Sequence, residues 1–373
     1  MRVLVTGGAG FVGSHLVDRL IGAGRAATIL DTRDPGAPGP RADLLAAHLS
    51  SGAARLVVGD VTDPAAVESA LEGVEAVVHL AAAVGAGRSS YRVRDYVQTN
   101  ALGTAQLLEG IAASRGRCRR LVLASCASVY GEGAHGCPSC GGDRGRPRDE
   151  EQLSAGHWEV RCARCGDDLS PVPTPETRAA QVASVYGATK RHQEDLILAF
   201  GAARRVATLV LRLSAVVGPG QSLSSHAGVA SAFLSRLLSG RPPLAYEDGH
   251  QSRDFVDVRD AAEALLLAVE STEPGGHAVN VGTGRRTTVL ELAEALAARL
   301  EVDLPPQCLE KFRAGDVRHS VLDVRRAREL LGFRARRSLD DSLAELVAGS
   351  RGQVPDDRAE ADLEELLGQG LLR

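Results

Sequence analysis

The chain has 373 residues, of which 44% are hydrophobic and 24% charged, and its formal net charge is −4. This length and apolar content suffice for one large or two medium domains. The mild acidity gives no general basic surface for nucleic acid, and the sequence has no apolar run of about 18 residues that could span a membrane. We therefore expect a cytoplasmic protein with neither nucleic acid nor a membrane as its partner.

The first predicted elements are a strand, a glycine-rich turn and a helix. The apolar run Val3–Val5 predicts the strand, and the helical pattern continues through Leu20. Glycines between a strand and a helix allow a tight turn and a close backbone approach to a pyrophosphate, which rests on the helix N-terminus. We assign this dinucleotide-binding turn to Gly7, Gly10, Phe11, Val12 and Gly13.

A second strand-like run, AATILD, ends in Asp31. A carboxylate at this place accepts a hydrogen bond from a ribose 2′-hydroxyl and repels a 2′-phosphate. The sequence therefore favours NAD as the cofactor. Arg33 lies close by and leaves NADP as the alternative.

Strand-like and helical stretches continue to alternate along the chain. The third strand is predicted in ARLVVGDVTD, the fourth in EAVVHLAAAVG and the fifth in RLVLASCASVYG. Strands that alternate with helices predict an α/β fold with a doubly wound parallel sheet of the Rossmann type. His15 and His79 have apolar neighbours, and we interpret both as structural histidines rather than metal ligands.

These motifs, together with YGATK, SRDF and NVGTG further along, resemble the extended short-chain dehydrogenase/reductase family, whose members epimerise or dehydrate nucleotide-sugars. The resemblance runs from residue 1 to about 345. It implies an NAD-dependent enzyme, active as a homodimer, with a nucleotide-sugar as its substrate. It further implies that the cofactor side of the site includes Asp60, Val61, Leu80, Ala81, Ala82 and, as a supporting residue, Asn100.

The YGATK motif places Tyr186 and Lys190 four residues apart, on one face of a helix. Of 43 basic residues only Lys190 and Lys311 are lysine, so each lysine suggests a specific role. A phenol with a pKa of about 10 is a poor base at neutral pH, and a nearby ammonium favours the phenolate. We expect Tyr186 to take the proton of a sugar hydroxyl while hydride leaves for NAD, and Lys190 to hold the nicotinamide ribose.

One position of the predicted active site departs from the family pattern. A Ser or Thr usually stands four residues before the tyrosine that ends the fifth strand, whereas counting back from Tyr130 gives Cys126, a weak hydrogen-bond donor and acceptor. Three interpretations stay open: Cys126 replaces the hydroxyl, Ser125 or Ser128 takes over its role, or Cys126 has an acid–base or nucleophilic task of its own. The dehydratases of the family have an Asp-Glu pair at the next two positions, where this chain has Ala127 and Ser128.

The predicted substrate site lies in the second half of the chain. Arg253 and Arg313 resemble the arginines with which the family binds the diphosphate, and Asp316 resembles its nucleotide-ribose partner. Ala215 stands where the family commonly has an Asn near the sugar diphosphate. The predicted units are an NAD-binding domain (1–134, 171–212 and 250–272), an insertion (135–170), a smaller nucleotide-sugar-binding domain (213–249 and 273–349) and a helical tail (350–373), which we interpret as a surface cap.

The predicted insertion contains two CxxC pairs, formed by Cys137, Cys140, Cys162 and Cys165. Each pair places two thiolates on one side of a tight turn, and two such turns make a tetrahedral S₄ site. We expect a structural Zn²⁺ ion, because four thiolates leave no open position for a substrate. Iron is the alternative metal, and the reducing cytosol disfavours two disulfides.

We interpret the chain as an NAD-dependent nucleotide-sugar 4-epimerase, which oxidises C4 transiently and returns the hydride to the other face of the sugar. The insertion resembles that of a bacterial subgroup of dTDP-L-rhamnose 4-epimerases, so we expect a dTDP-6-deoxyhexose such as dTDP-L-rhamnose, or a UDP-hexose. The alternatives are a dehydratase with Cys126 as acid or base, and a non-catalytic nucleotide-sugar-binding protein. The presence of Tyr186 and Lys190 argues against the last.

Overall fold

The computed structural model of the protein describes residues 1–32, 42–114, 116–143 and 145–373. Arg33, on which the NADP alternative rests, lies outside these residues. Among the described helices, none combines the length and the apolar character that crossing a bilayer requires.

Helices occur along the whole described chain. They are α1 (Phe11–Gly22), α2 (Ala42–Ser50), α3 (Pro64–Ala70), α4 (Ala86–Ser89), α5 (Val93–Tyr96), α6 (Gly103–Ala113), α7 (Glu150–Ser154), α8 (Val185–Arg204), α9 (Val229–Leu238), α10 (Val258–Glu270), α11 (Val289–Leu300), α12 (Arg325–Leu331), α13 (Leu339–Ser350) and α14 (Ala359–Gly368). A π-helical turn, Val97–Leu102, joins α5 to α6.

The strands are mostly short. They are β1 (Arg2–Thr6), β2 (Ala26–Asp31), β3 (Ala54–Val58), β4 (Ala76–His79), β5 (Arg120–Cys126), β6 (Ala134–Gly136), β7 (Ser170–Val172), β8 (Ala207–Leu213), β9 (Ala215–Val217), β10 (Leu244–Ala245), β11 (Ser252–Arg253), β12 (Phe255–Asp257), β13 (Gly275–Val281), β14 (Thr287–Thr288), β15 (Gln307–Cys308) and β16 (His319–Ser320).

Seven parallel strands form the central sheet in the order β13-β8-β5-β4-β1-β2-β3. The chain builds β1, β2 and β3 toward one edge and then continues with β4 on the other side of β1. The order therefore reverses beside β1, and ligands of doubly wound folds bind in the crevice that such a reversal opens. The predicted fold class is confirmed.

Both faces of the sheet are covered by helices. Successive side chains of a strand point to opposite faces, so Val3 and Val5 pack into one apolar cluster with Leu16 of α1 and Leu265 of α10. Leu4 points the other way, into the cluster that α3, α6 and α8 cover. This burial on both sides explains why the strand reads as a continuous apolar run in the sequence.

A third apolar cluster joins helices from the two segments predicted as the smaller domain. It includes Leu234 of α9, Leu296 of α11 and Leu346 of α13, all buried. The packing gives this region a core of its own, as a separate substrate domain requires. We keep the predicted domain boundaries as a proposal.

The predicted insertion is closed at its base by an antiparallel strand pair. Ala134–Gly136 pairs with Ser170–Val172. Among the described residues between these strands, Cys137, Val160, Cys162 and Leu169 form a small apolar cluster, with Cys140 packed against it. So small a cluster gives little stability by burial alone.

Candidate active site and metal centre

The glycine turn after β1 leaves no room for side chains. Gly7 has a φ of +70°, and a Cβ atom added to Gly13 would lie 2.2 Å from the carbonyl oxygen of Gly7. Gly10 precedes α1 without a capping side chain, and Phe11 and Val12 open the helix, whose first turn contains no acidic residue. The first N–H groups of a helix lack intrahelical partners, and with no acidic residue in this first turn they fit a pyrophosphate.

The predicted adenosine-side residues lie at the adjoining strand ends. Asp31 ends β2 and accepts a hydrogen bond from the N–H of Ala9 at 3.0 Å, so its carboxylate lies beside the glycine turn. Asp60, which is exposed, accepts from the N–H and hydroxyl of Thr62 at 2.8 and 2.7 Å. Val61 is buried and belongs to the apolar cluster that α3, α6 and α8 cover. A carboxylate next to the turn suits a ribose with a free 2′-hydroxyl.

The loop after β4 is fixed by a threonine and a histidine. The N–H groups of Leu80 and Ala81 donate to the hydroxyl of Thr6, both at 3.2 Å, and Ala82 follows them, partly buried. The same hydroxyl lies 2.7 Å from Nδ1 of His79. His79 is fully buried, and burial lowers its pKa to about 3, so it is a neutral, structural residue as predicted.

Asn100 also holds the loop after β4 in place, through hydrogen bonds made by its side chain. Its side-chain oxygen accepts from the N–H of Ala83 at 2.7 Å, and its amide nitrogen donates to the carbonyl of Ala83 at 3.0 Å and to the hydroxyl of Thr189 at 2.9 Å. Both amide protons are therefore used within the protein, and the residue is fully buried. Asn100 is a positioning residue that ties the loop to α8, and the structure does not place it as a direct cofactor ligand.

The three predicted catalytic residues come together where α8 packs against the end of β5. Ser184 caps α8, and Tyr186 and Lys190 occupy its first two turns. Cys126 is the last residue of β5, and it lies close enough to the Tyr186 phenol to raise its pKa. The ring of Tyr96 packs edge-on against Tyr186, with 6.2 Å between the ring centroids.

Burial dominates the protonation of this group. It lowers the pKa of the Lys190 ammonium to about 8, against the opposing influence of Cys126 and Glu194. Burial and the adjacent Cys126 thiol raise the pKa of Tyr186 well above its ordinary value. The chain's own residues therefore keep Tyr186 a neutral phenol at pH 7, and forming the phenolate requires additional positive charge in the closed site.

The two serines that were candidates to replace the missing hydroxyl are placed differently. Ser125 is buried, and its hydroxyl donates to the carboxylate of Glu194 at 2.6 Å. Its one proton is thus committed to a buried acid that also binds Arg212, which argues against Ser125 as a substrate contact. Ser128 is partly buried in the turn Ala127–Tyr130, beside the start of α8.

Three of the five predicted substrate-binding residues, Arg253, Arg313 and Asp316, line one cavity of about 300 Å³, whereas Ser125 and Ser128 are not among its lining residues. Arg313 donates to the carboxylate of Asp316 at 2.9 Å and stacks over the ring of Tyr246 at 5.2 Å. Arg253 donates to the carbonyls of Val317 at 2.9 Å and Arg318 at 3.1 Å. Arg253 and Arg313 thus bring two guanidinium groups to the cavity beside the carboxylate of Asp316, which suits a nucleoside diphosphate. The further charged residues of the lining are Arg88, Arg236 and Asp362.

The C-terminal helix forms one wall of this cavity, which the sequence interpretation of the tail as a surface cap did not anticipate. Leu363 and Leu366 of α14 are among the lining residues. The chain after α14 returns to the Arg313 loop, where the N–H of Phe312 donates to the carbonyl of Arg373 at 2.9 Å. The amphipathic pattern of the tail indicated a packed helix, but it gave no sign of which surface the helix covers.

The four cysteines of the insertion converge. Their sulfur atoms all lie within 4.8 Å of one another. The N–H of Cys140 donates to the sulfur of Cys137 at 3.2 Å, and the N–H of Arg164 donates to that of Cys162 at 3.4 Å. Amides that point at sulfur stabilise thiolates, so the group, completed by Cys165, fits a tetrahedral metal ion.

Most of the chain is similar to known proteins. The model of the NAD dependent epimerase/dehydratase family matches residues 3–152 and 165–282. A dTDP-L-rhamnose 4-epimerase of Burkholderia thailandensis is 34% identical over 357 residues, which cover 92% of this chain and 93% of that protein. A UDP-glucose 4-epimerase of Mycolicibacterium smegmatis is 31% identical over 349 residues, covering 93% and 97%.

Solved structures are similar over nearly the same extent. The Thermotoga maritima UDP-glucose 4-epimerase with UDP-glucose has a TM-score of 0.76 and 30% identity, covering 94% of this chain and 99% of that one. MoeE5 in complex with UDP-glucuronic acid and NAD has a TM-score of 0.75 and 30% identity over the same shares. The chain belongs to the NAD dependent epimerase/dehydratase family and is an NAD-dependent enzyme of the extended short-chain dehydrogenase/reductase type.

Proposed function

We propose that this protein is a nucleotide-sugar 4-epimerase that inverts C4 by transient oxidation. The observation that carries the proposal is the convergence of Tyr186, Lys190 and Cys126 at the end of β5. Ala127 and Ser128, which follow Cys126, have no carboxylate that could serve elimination as a separate acid or base. Relatives named as 4-epimerases support the same reaction.

In this proposal the cofactor is NAD, which accepts hydride from the sugar and later returns it. The glycine turn binds the pyrophosphate, Asp31 the adenosine ribose, and Lys190 the nicotinamide ribose. Asp60 and Val61 face the adenine, and the loop Leu80–Ala82, held in place by Thr6 and Asn100, lies on the nicotinamide side.

The proton is handled by Tyr186. Its phenolate accepts the proton of the C4 hydroxyl as hydride leaves C4, and the phenol returns that proton when hydride adds to the opposite face of the ketone. The ammonium of Lys190 stabilises the phenolate while it exists. Cys126 lies next to the phenol and makes a weak hydrogen bond to the reacting oxygen, where related enzymes use a hydroxyl.

The proposed substrate is a dTDP-6-deoxyhexose such as dTDP-L-rhamnose, with a UDP-hexose as the second choice. Support comes from the cavity that Arg253, Arg313 and Asp316 line and from the similarity to the Burkholderia thailandensis enzyme over most of both chains. In the cavity the arginines bind the diphosphate, and Asp316 binds the nucleotide ribose.

The proposal includes a structural Zn²⁺ ion bound by the four cysteines, with iron as the alternative. The insertion has too few apolar residues for an independent core, and a metal supplies the missing stabilisation in small segments of this kind. Elemental analysis of the purified protein should find one zinc per chain. A Cys162→Ser variant should lose it, and the insertion should then become sensitive to protease.

We also propose a homodimer, which the family resemblance implies, and a cytoplasmic location, which rests on the sequence composition. Sedimentation equilibrium tests the first, and the expected mass is that of two chains. A monomer that turns over substrate at the full rate would contradict it.

The reaction itself is tested with a panel of nucleotide-sugars led by dTDP-L-rhamnose and UDP-glucose, with products identified by NMR. We expect an equilibrium mixture of C4 epimers from one member of the panel and no product from the Tyr186→Phe variant. A stable 4-keto-6-deoxy product or loss of a carboxyl group would contradict the proposal, since both belong to other reactions of the family.

A further inference from the structure

Two buried arginines connect the cysteine insertion to the smaller domain. The side chain of Arg148, from the insertion, is 2% exposed, and that of Arg318 is 1% exposed. Between them lie Glu132, Glu159 and Glu247, and these five residues are called the bridging cluster below. Charges buried this deeply are tolerated only when they are paired and hydrogen-bonded.

Arg148 makes four hydrogen bonds within this region. Its Nε donates to Glu132 at 2.7 Å, and Nη1 donates to Glu247 at 2.8 Å and to the carbonyl of Trp158 at 3.1 Å. Nη2 donates to the backbone carbonyl of Asp316 at 3.1 Å. A residue of the insertion thus directly holds the backbone of a residue that lines the substrate cavity.

Arg318 shares Glu247 with Arg148, and its side chain also binds Glu159 and Asp248. Its Nε and Nη2 donate to Glu159 at 2.9 and 2.6 Å, and Nη1 donates to Glu247 at 2.9 Å. Its backbone N–H donates to Glu132 at 2.6 Å. Nε2 of the next residue, His319, lies 3.0 Å from the other oxygen of Glu159. The backbone from residue 316 to 319 is therefore anchored at several points.

The position of Glu159 depends on the cysteine site. The next residue, Val160, packs with Cys137, Cys162 and Leu169, and its carbonyl accepts from the N–H of Leu169 at 2.8 Å. Because this small cluster surrounds the sulfur atoms, the conformation that brings the cysteines together also fixes the segment that leads from Cys162 back to Glu159.

The anchored backbone in turn orients the substrate residues. The carbonyls of Val317 and Arg318 accept from the guanidinium of Arg253, and the carboxylate of Asp316 accepts from Arg313. A guanidinium recognises a diphosphate by direction as well as by charge. A shift of this loop would therefore weaken nucleotide binding even with every lining residue present.

We propose that the metal-bound insertion is a positioning element for the nucleotide diphosphate. In it Arg148 holds the backbone of residue 316 and Glu159 holds the side chains of Arg318 and His319, and together they orient Arg253 and Arg313. This inference rests on the proposed function, since it concerns the nucleotide-sugar site. It assigns the insertion a role in substrate affinity, apart from the chemistry at Tyr186.

The test compares Arg148→Met with Arg146→Met, which removes an exposed arginine of the same insertion. The affinity of each holoenzyme for dTDP and UDP is measured by calorimetry, together with KM, kcat and bound NAD. For Arg148→Met we expect nucleotide affinity to fall about tenfold or more and KM to rise in parallel, with kcat within about twofold and NAD content unchanged. Arg146→Met should match the wild type on every measure.

Arg148→Met can also destabilise the fold, so a second perturbation is needed. Removing the metal from the wild-type holoenzyme with a chelator should weaken dTDP and UDP binding by a similar factor, while NAD stays bound. Glu159→Gln, which keeps the shape of the side chain, should give a smaller loss. Unchanged nucleotide affinity in a folded Arg148→Met protein, or after loss of the metal, would overturn the inference.

The nucleotide measurements separate this inference from the proposed reaction. If no nucleotide-sugar is epimerised but dTDP or UDP still binds less tightly to Arg148→Met than to Arg146→Met, the positioning role stands and the 4-epimerase proposal fails. If epimerisation occurs but both variants bind nucleotide as the wild type does, the positioning role fails alone.

Discussion

At the scale of single residues, the sulfur of Cys126 is the feature that most distinguishes this active site. It lies beside the Tyr186 phenol, at a position where the family resemblance implies a hydroxyl. A thiol is the weaker hydrogen-bond donor and acceptor of the two. The rate of the chemical step should therefore respond to this one atom more than substrate affinity does.

Replacing the sulfur by oxygen tests this interpretation. We expect Cys126→Ser to raise kcat by roughly three- to tenfold, as one improved hydrogen bond allows, with KM nearly unchanged. Cys126→Ala should lower kcat by a similar factor. Steady-state kinetics on the epimerised substrate decides the matter: if Cys126→Ser is as inactive as a Tyr186 variant, the sulfur has an acid–base task of its own.

Removing the Tyr186 hydroxyl should have a far larger effect. Tyr186→Phe should lose at least about 10³-fold in kcat, because general acid–base catalysis by a positioned group contributes about 10²–10⁴-fold. Its NAD content should stay that of the wild type. Tyr96→Phe is the matched control, since the Tyr96 ring packs on Tyr186 while its hydroxyl donates to the backbone carbonyls of Val84 and Gly85. A Tyr186→Phe enzyme with a tenth of the wild-type rate would contradict the assigned role.

The proximity of Tyr186 and Lys190 could be predicted from the sequence because it depends on local helix geometry. Tyr186 and Lys190 are one helical turn apart, so their spacing alone places them on one face. Ser125 is different, because the direction of its hydroxyl depends on Glu194, which lies far along the chain. No local pattern reveals that buried acid or its partner Arg212, and the serine therefore stayed a candidate until the fold was known.

At the scale of secondary-structure elements, α14 forms one wall of the cavity that we propose binds the nucleotide-sugar. Leu366 is buried and lines the cavity, whereas the neighbouring Leu367 is 47% exposed and is not among the lining residues. The helix is also tied down by ion pairs, among them Glu360 with Arg236 at 2.7 Å. Its contribution to the site is a wall rather than a reacting group.

This wall can be tested with two adjacent leucines. Leu366→Ser should raise KM for the nucleotide-sugar by about tenfold, because it places a polar group in the apolar face that α14 presents to the cavity. Leu367→Ser should leave KM unchanged. The measurement is steady-state kinetics with bound NAD as a check on folding, and equal KM values for the two variants would show that α14 does not line the occupied site.

The sequence predicts the arrangement of the cysteine turns better than the docking of α14, and the reason is physical. The CxxC spacing predicted the converging cysteines because each pair forms within one tight turn. The docking of α14 depends on residues such as Arg236 and Phe312, more than a hundred and about fifty positions away respectively. An amphipathic pattern reports that a helix has a buried face, but it leaves the partner of that face unspecified.

At the scale of the whole molecule, the bridging cluster links folding stability to pH. Burial alone would raise the pKa of Glu159, but hydrogen bonds from His319 and Arg318 lower it from 4.5 to about 2. A depressed carboxyl pKa contributes stability above the unfolded value, and this contribution is lost as pH falls through the folded value. The affected window is therefore about pH 4.5 down to pH 2.

Glu159→Gln should flatten this dependence. Between about pH 4.5 and 2 the free energy of unfolding of the wild type should fall more steeply than that of the variant, by up to about 1.4 kcal/mol per pH unit, the value for one proton. Urea unfolding at a series of pH values measures the slope. A variant with the wild-type slope would show that Glu159 is not held as an ion in the native protein.

The central claim is that C4 is inverted by removal and return of the same hydride. The most direct measurement is turnover of dTDP-L-rhamnose carrying deuterium at C4, in ordinary water, with NMR of the epimeric product. The account predicts that the product keeps the deuterium at C4, because the hydride never exchanges with solvent. Loss of the C4 label to water, or incorporation of solvent hydrogen at a neighbouring carbon, would contradict it.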